Sequence, residues 1–355
     1  MTGTRTLTLV LGLYLSAAST AIGADELAVP LQFGVAPVVP MGLATASNRF
    51  QISAELERVK TELPRVSVVG FLFDVRTSHR ADWLTALDLC SEKKLKAFVS
   101  FGEIQNGNER IYRPTLRYGQ WQFSKLGTFV ADPECISHPA VYAVYLVDEP
   151  WHETKLPVYS GDDLKAMYAA LKARAPAGAS FKVMLQFSRE LWKMVHDRNV
   201  PGLYWDRGMA DIVQISALEL QNSTYQHELL HRNHYWSRSI IHEKTPGIPL
   251  WTSVQVFGGR YGPNPGYWFP RERDGYHDLR RMLDDVTSDE YEAQHPLRGI
   301  MFQAWDSSSV ERRPSQYTLG DRDAGGTPLP QWRAAADALA AIRRWIDERL
   351  ASIDR

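Results

Sequence analysis

His138-Pro-Ala-Val-Tyr-Ala-Val-Tyr-Leu-Val-Asp-Glu-Pro-Trp151 is the stretch whose reading decides the fold. Val141 to Val147 is a short apolar run rich in β-branched and aromatic residues, the pattern of a strand buried on both faces. It ends in two adjacent acids, Asp148 and Glu149, and Pro150 then stops the ladder because it has no N–H to donate. Two carboxylates at the C-terminal end of a buried parallel strand mark the end of an α/β barrel where chemistry is kept. The alternative is a solvated strand end, or an acid pair capping the next helix.

Outward from this stretch, strand-like runs alternate with helix-like segments. On the N-terminal side, Leu31 to Pro37, Val66 to Asp74 and Lys96 to Glu103 read as strands, with helices near Ile52 to Leu63, Asp82 to Lys93 and Trp121 to Val130. On the C-terminal side, Phe181 to Phe187, Asp211 to Leu218, Pro249 to Phe257 and Arg298 to Trp305 complete eight strands. Helices are expected at Asp162 to Arg174, Thr224 to His242, Tyr276 to Glu292 and Gln331 to Ala351. In the last of these, Trp332, Ala335, Leu339, Ile342 and Ile346 share one face. The alternation predicts a single-domain (β/α)8 TIM barrel. A doubly wound open sheet would carry a Gly-rich phosphate turn after an early strand, and none is present.

The chain has 355 residues and a formal net charge of −1, which gives no electrostatic footprint for nucleic acid or an anionic membrane. Arg5, an apolar run from Leu7 to Ala18 and small residues through Ala24 read as an export signal over 1–24, with the barrel over 25–355. The expected product is an exported monomer, periplasmic or secreted, with no membrane span in the mature chain. Cys90 and Cys135 are either one disulfide or two separate buried thiols. Asn222-Ser-Thr is a glycosylation sequon, meaningful only in a eukaryotic host.

The predicted strand ends collect the acids Asp74, Glu103, Asp148, Glu149, Glu219 and Asp306, the amide Gln255 and the indole Trp305. In a barrel all of these rim one mouth. A protonated carboxylic acid beside an ionised carboxylate is what glycosidic cleavage requires. Trp151, Tyr261, Tyr267 and Trp268 are candidate sugar-stacking rings.

At these residues the sequence resembles the (β/α)8 glycoside hydrolases, especially the clan with a catalytic Glu at the end of the fourth strand. That clan usually reads Asn-Glu-Pro there; Asp148-Glu149-Pro150 is more similar to bacterial glycosidase families that carry Asp-Glu-Pro. The clan's sugar-stacking Trp at the end of the eighth strand is matched by Trp305. The resemblance implies a cofactor-free hydrolase of poly- or oligosaccharides with Glu149 as general acid. The clan's nucleophile, a Glu ending the seventh strand, is replaced by Gln255. Glu219 is the first-ranked second carboxylate, ahead of Glu103, Asp306 and Asp148. Asp74, Glu103, Gln255, Asp306, Trp151 and Trp305 are assigned to substrate binding. A non-catalytic carbohydrate-binding barrel is the second reading, favoured by Gln255.

His227-Glu-Leu-Leu-His231 spells a zinc-hydrolase motif, with His234 one turn on and His242 and Glu243 as candidate third ligands. Arg232 and Asn233 follow the second His, and the segment falls where the sixth outer helix belongs, so no metal is expected. Asp284, Asp285, Asp289, Glu290 and Glu292 form an acidic cluster that lacks EF-hand spacing and reads as a solvated face.

Overall fold

The computed structural model describes residues 31–105, 108–152, 157–187, 191, 195, 201–217, 227–256, 258–259, 269–272, 275–303, 305, 316–317 and 333–353. Within these residues the side chains of 104–105, 108–109, 227–233, 258–259, 289, 316–317 and 333–334 are not described. The leader expected at 1–24, the sequon at Asn222, Glu219, Asp306, Tyr261, Tyr267 and Trp268 lie outside the described residues.

Eight parallel strands form a closed ring: β1 (Gln32–Ala36), β2 (Val66–Asp74), β3 (Lys96–Gln105), β4 (Val141–Asp148), β5 (Val183–Phe187), β6 (Ile212–Ala217), β7 (Leu250–Gln255) and β8 (Leu297–Gln303). Each pairs with its neighbour in sequence, and β1 closes the ring by pairing with β8, Gln32 opposite Gly299 through Ala36 opposite Gln303. This is a (β/α)8 TIM barrel. A short antiparallel strand, Asn108–Ile111, folds back on the end of β3, and a hairpin of Thr115–Arg117 with Gln120–Gln122 follows it.

The barrel interior is filled from nearly every stave. Val68, Phe98, Ala143, Tyr145, Met184, Ile212, Trp251 and Met301 form one buried cluster, joined by Ala36 from β1. Phe98 meets Trp251 edge-on at 5.1 Å between ring centroids. Gly299 of β8 makes room for that indole, since a Cβ there would lie 2.4 Å from its ring atoms. Alternate strand residues face outward, as the period of 2 requires. Phe33, Val69, Phe71, Phe101, Val144, Leu146, Leu185 and Ile215 join the helical shell in a second, larger core.

The outer helices follow from sequence in the expected way. α1 (Arg49–Glu62) buries Ile52, Leu56 and Val59 on one stripe. α2 (Arg80–Glu92) begins where the Asp82 carboxylate accepts the His79 N–H at 2.7 Å. α3 (Ser124–Ala131) follows the hairpin. α4 (Gly161–Lys172) has a capping box: Ser160 Oγ accepts the Asp163 N–H at 3.0 Å and Asp163 accepts the Ser160 N–H at 2.8 Å. α5 (His227–Lys244) covers the barrel before β7. The terminal helix (Arg333–Ile353) buries Ala335, Leu339, Ile342 and Ile346, as its periodicity predicts.

Two expectations are corrected. The helix expected from Tyr276 to Glu292 is two helices, Asp278–Val286 and Asp289–Gln294. The break is made from outside: the buried Arg238 guanidinium of α5 donates to the Val286 carbonyl, and also to the His295 carbonyl at 3.1 Å. A buried cation at helix C-termini is favourable because the orphan carbonyls there carry negative partial charge. The acidic cluster is accordingly not a uniformly solvated face. Glu292 pairs with Arg238 at 3.2 Å, and burial pushes its carboxyl above the usual range despite that partner. Cys90 and Cys135 are separate buried thiols, and burial raises both above the ordinary thiol value, Cys135 to about 12. No helix among the described residues is long and apolar enough to cross a membrane.

Candidate active site

The end of β4 departs from regular strand at one residue. Asp148 closes the strand opposite Gln186 of β5, and Glu149 then takes φ +45°, a left-handed conformation uncommon outside glycine. Such a conformation costs about 1–2 kcal/mol for a residue with a Cβ. Pro150, next in line, further narrows the backbone choices of the residue before it. The turn is held by a set of hydrogen bonds. The Glu149 N–H donates to the Gln186 carbonyl at 2.8 Å, and His152 N–H donates to the Glu149 carbonyl at 3.1 Å. Arg113 Nη1 donates to the Asp148 carbonyl at 2.6 Å. Backbone strain kept in place by surrounding contacts is characteristic of functional sites.

Beneath this turn lies a buried polar chain inside the barrel. Tyr145 Oη donates to Gln186 Oε1 and also lies 3.5 Å from Asp148 Oδ1. Gln214 Nε2 donates to the same Gln186 oxygen at 2.7 Å, and Gln186 Nε2 donates to Ser216 Oγ at 2.8 Å. Ser253 of β7 continues it to Ser216 at 3.3 Å. The Tyr145 hydroxyl is pushed well above its ordinary pKa, first by burial and then by the charges of Asp148 and Glu149. It therefore stays neutral and keeps its proton for Gln186 Oε1. Polar residues at Tyr145, Gln186, Gln214, Ser216 and Ser253 were the signal sequence reading passed over. They interrupt otherwise apolar strands, and buried polar groups must be satisfied.

The remaining strand-end residues divide by environment. Asp74 accepts the backbone N–H of Arg76 at 2.6 Å and of Thr77 at 3.3 Å, so it shapes the turn after β2. Glu103 does not end β3. The strand runs on to Gln105, Glu103 sits opposite Arg110, and its carboxylate meets Arg76 at 3.3 Å. Gln255 ends β7 fully buried, opposite Gln303. The seventh strand thus presents a neutral amide where a retaining clan member carries an acid.

Both strand-end tryptophans are buried. Trp151 is 2% exposed and packs on Phe187 at 4.9 Å. Trp305 is 0% exposed, its Nε1 donates to Glu55 of α1 at 3.0 Å, and Arg58 lies 5.5 Å from its ring. Neither indole has a free face for a sugar in this conformation.

The side chains of His227 and His231 are outside the described set, but His234 beside them is clear. Arg238 Nε donates to His234 Nδ1 at 3.1 Å, so Nε2 carries the proton and donates to Thr252 Oγ1 at 2.9 Å. Both ring nitrogens are used, which leaves neither as a ligand. His242 meets His295 at 3.0 Å between their Nδ1 atoms, away from the strand ends. Among the described residues no group of three or more His, Cys, Asp or Glu side chains is placed to hold a metal.

No protein-family model and no curated protein matches the sequence. Solved structures do match in fold. The GH5_18 protein of Streptomyces cattleya, in complex with Manβ1-4GlcNAc, superposes with a TM-score of 0.56 at 13% identity, over 89% of this chain and 81% of its own. The β-galactosidase of the psychrophilic Marinomonas ef1 superposes with a TM-score of 0.51 at 10% identity, over 91% of this chain and 60% of its own. The chain is similar to barrels of glycoside hydrolases, and at this identity the similarity establishes the (β/α)8 architecture.

Proposed function

We propose that the protein is an exported glycoside hydrolase that cleaves a poly- or oligosaccharide, with Glu149 as the general acid. The observation that carries this reading is Glu149 itself: a carboxylate at the C-terminal end of β4, in a left-handed conformation that neighbouring elements hold in place. The C-terminal ends of the staves are where barrel enzymes place their reacting groups. Asp148 supports the site from the preceding position, through its carboxylate above Tyr145. The glycoside-hydrolase neighbours support a saccharide as the substrate.

The second carboxylate is assigned to Glu219, two residues past the end of β6. With Gln255 ending β7, that strand supplies no carboxylate, and Glu219 ranks ahead of Glu103, Asp306 and Asp148. Glu149→Gln keeps shape and removes the proton donor, and loss of a general acid is worth about 10²–10⁴-fold in rate. Turnover of an oligosaccharide panel by wild type, Glu149→Gln and Glu219→Gln tests the assignment. Both variants should lose turnover while binding sugar. Near-normal turnover in Glu149→Gln would remove it from the catalytic role.

A second reading is favoured by one observation, the buried Gln255 at the nucleophile position. In that reading the barrel binds saccharides without cleaving them. Affinity for an oligosaccharide with no turnover by wild type, and unchanged affinity in Glu149→Gln, would select it.

A further inference from the structure

Arg113 stands in the long connection between β3 and α3, a polar stretch in which no residue was singled out from sequence. The structure draws it onto the connection after β4. Its Nη1 donates to the Asp148 carbonyl at 2.6 Å and its Nη2 to the Pro157 carbonyl at 2.7 Å. The guanidinium lies 4.9 Å from the centre of the Tyr159 ring. Tyr159 in turn donates its hydroxyl to the Pro114 carbonyl at 2.7 Å and its N–H to the Pro150 carbonyl at 3.2 Å. One cation and one ring therefore tie both sides of the Asp148-Glu149-Pro150 turn to a second connection.

We propose that Arg113 is the positioning residue of the Glu149 site: it fixes the left-handed turn by spanning the Asp148 and Pro157 carbonyls, and it brings a half-buried positive charge to that turn. The inference rests on the reading of Glu149 as the acid. A flexible residue at φ +45° would relax toward commoner backbone regions, and a bidentate guanidinium spanning two carbonyls resists that. Burial pushes the Arg113 guanidinium below its ordinary value, while Tyr159, Asp148 and Glu149 act in the opposite direction. By reciprocity its charge favours the ionised form of a carboxyl at the turn. The titratable and charged groups described around the turn are Arg113, Tyr112 and Tyr159 on one side, and Tyr145, Asp148 and His152 on the other.

The test uses the full chain with ¹³C-labelled glutamate carboxyls, the Glu149 signal being assigned by its loss in Glu149→Gln. In Arg113→Met the Glu149 carboxyl should titrate higher, because loss of an opposite charge at the turn disfavours the ionised form. The alkaline limb of kcat/KM should move up with it. Arg113→Lys keeps the charge but not the two-carbonyl span. It should titrate like wild type while kcat falls several-fold at unchanged KM. An unmoved Glu149 titration in Arg113→Met overturns the proposal, and so does wild-type kcat in Arg113→Lys. The titration needs no turnover, so a protein without glycosidase activity would sink the catalytic reading and leave the clamp measurable.

Discussion

β4 and β7 stand three staves apart in the ring and end in opposite ways. β4 closes on two acids, with the second in a left-handed conformation fixed by Arg113 and the Gln186 carbonyl. β7 ends on a fully buried neutral amide, Gln255, in register with Gln303, and carries Trp251 into the middle of the barrel core. One stave supplies strain and charge; the other supplies packing. The contrast teaches that burial alone does not mark a reactive strand end. What marks β4 is a costly backbone that contacts from β5 and from the β3 connection keep in place.

The comparison can be broken at several points, beginning with the largest effect. Trp251→Ala should cost about 3–5 kcal/mol in a chemical denaturation curve, because the cavity beside Phe98 and Gly299 cannot collapse. A loss under 1 kcal/mol would mean β7 is not the packed stave described. Gln255→Glu should cost about 1–3 kcal/mol at neutral pH, the penalty of burying a carboxylate in place of a satisfied amide. A buried acid has a raised pKa, so that loss should shrink as pH falls and the group becomes neutral. A loss that grows on acidification would contradict the buried placement.

The helical shell behind β7 predicts a smaller effect of pH. His234 is held well below the usual imidazole value by burial and then by Arg238, His242 is lowered to about 4 by burial and then by His295, and His295 is lowered by burial. For these bases the unfolded chain takes up protons first. Their contribution is present above about pH 6.5 and is lost as pH falls from there toward about 4. Glu292, raised by burial, works in the opposite sense. Tm should fall by at least about 2–4 °C across that window. A flat Tm would show that the histidines are solvated. The smallest effect is a gain: Glu149→Gly relieves the left-handed residue and should stabilise the fold by about 0.5–1 kcal/mol while abolishing activity.

The fold was legible because it is written in local periodicity. β2 begins and ends where the apolar run of Val66 to Asp74 places it, and β4 differs from expectation by one residue. What local reading missed came from distant partners. The helix break at Thr287 depends on Arg238, nearly fifty positions away. The burial of Trp151 and Trp305 depends on Phe187 and Glu55, which local periodicity does not bring near them. Within the site, the position of Asp148 and Glu149 was readable from one strand and one proline. The left-handed turn and its Arg113 clamp were not, since nothing near residue 113 in the chain points to the carbonyl of residue 148.

The central claim is that Glu149 gives a proton to the departing sugar oxygen, and its most direct test is leaving-group dependence. Hydrolysis of an oligosaccharide and of the matching aryl glycoside with an activated leaving group would be compared in wild type and Glu149→Gln. An oxygen that departs readily as an anion needs no acid, so the variant should lose about 10²–10⁴-fold on the oligosaccharide and far less on the activated substrate. Equal losses on both substrates, or no loss on either, would contradict the account.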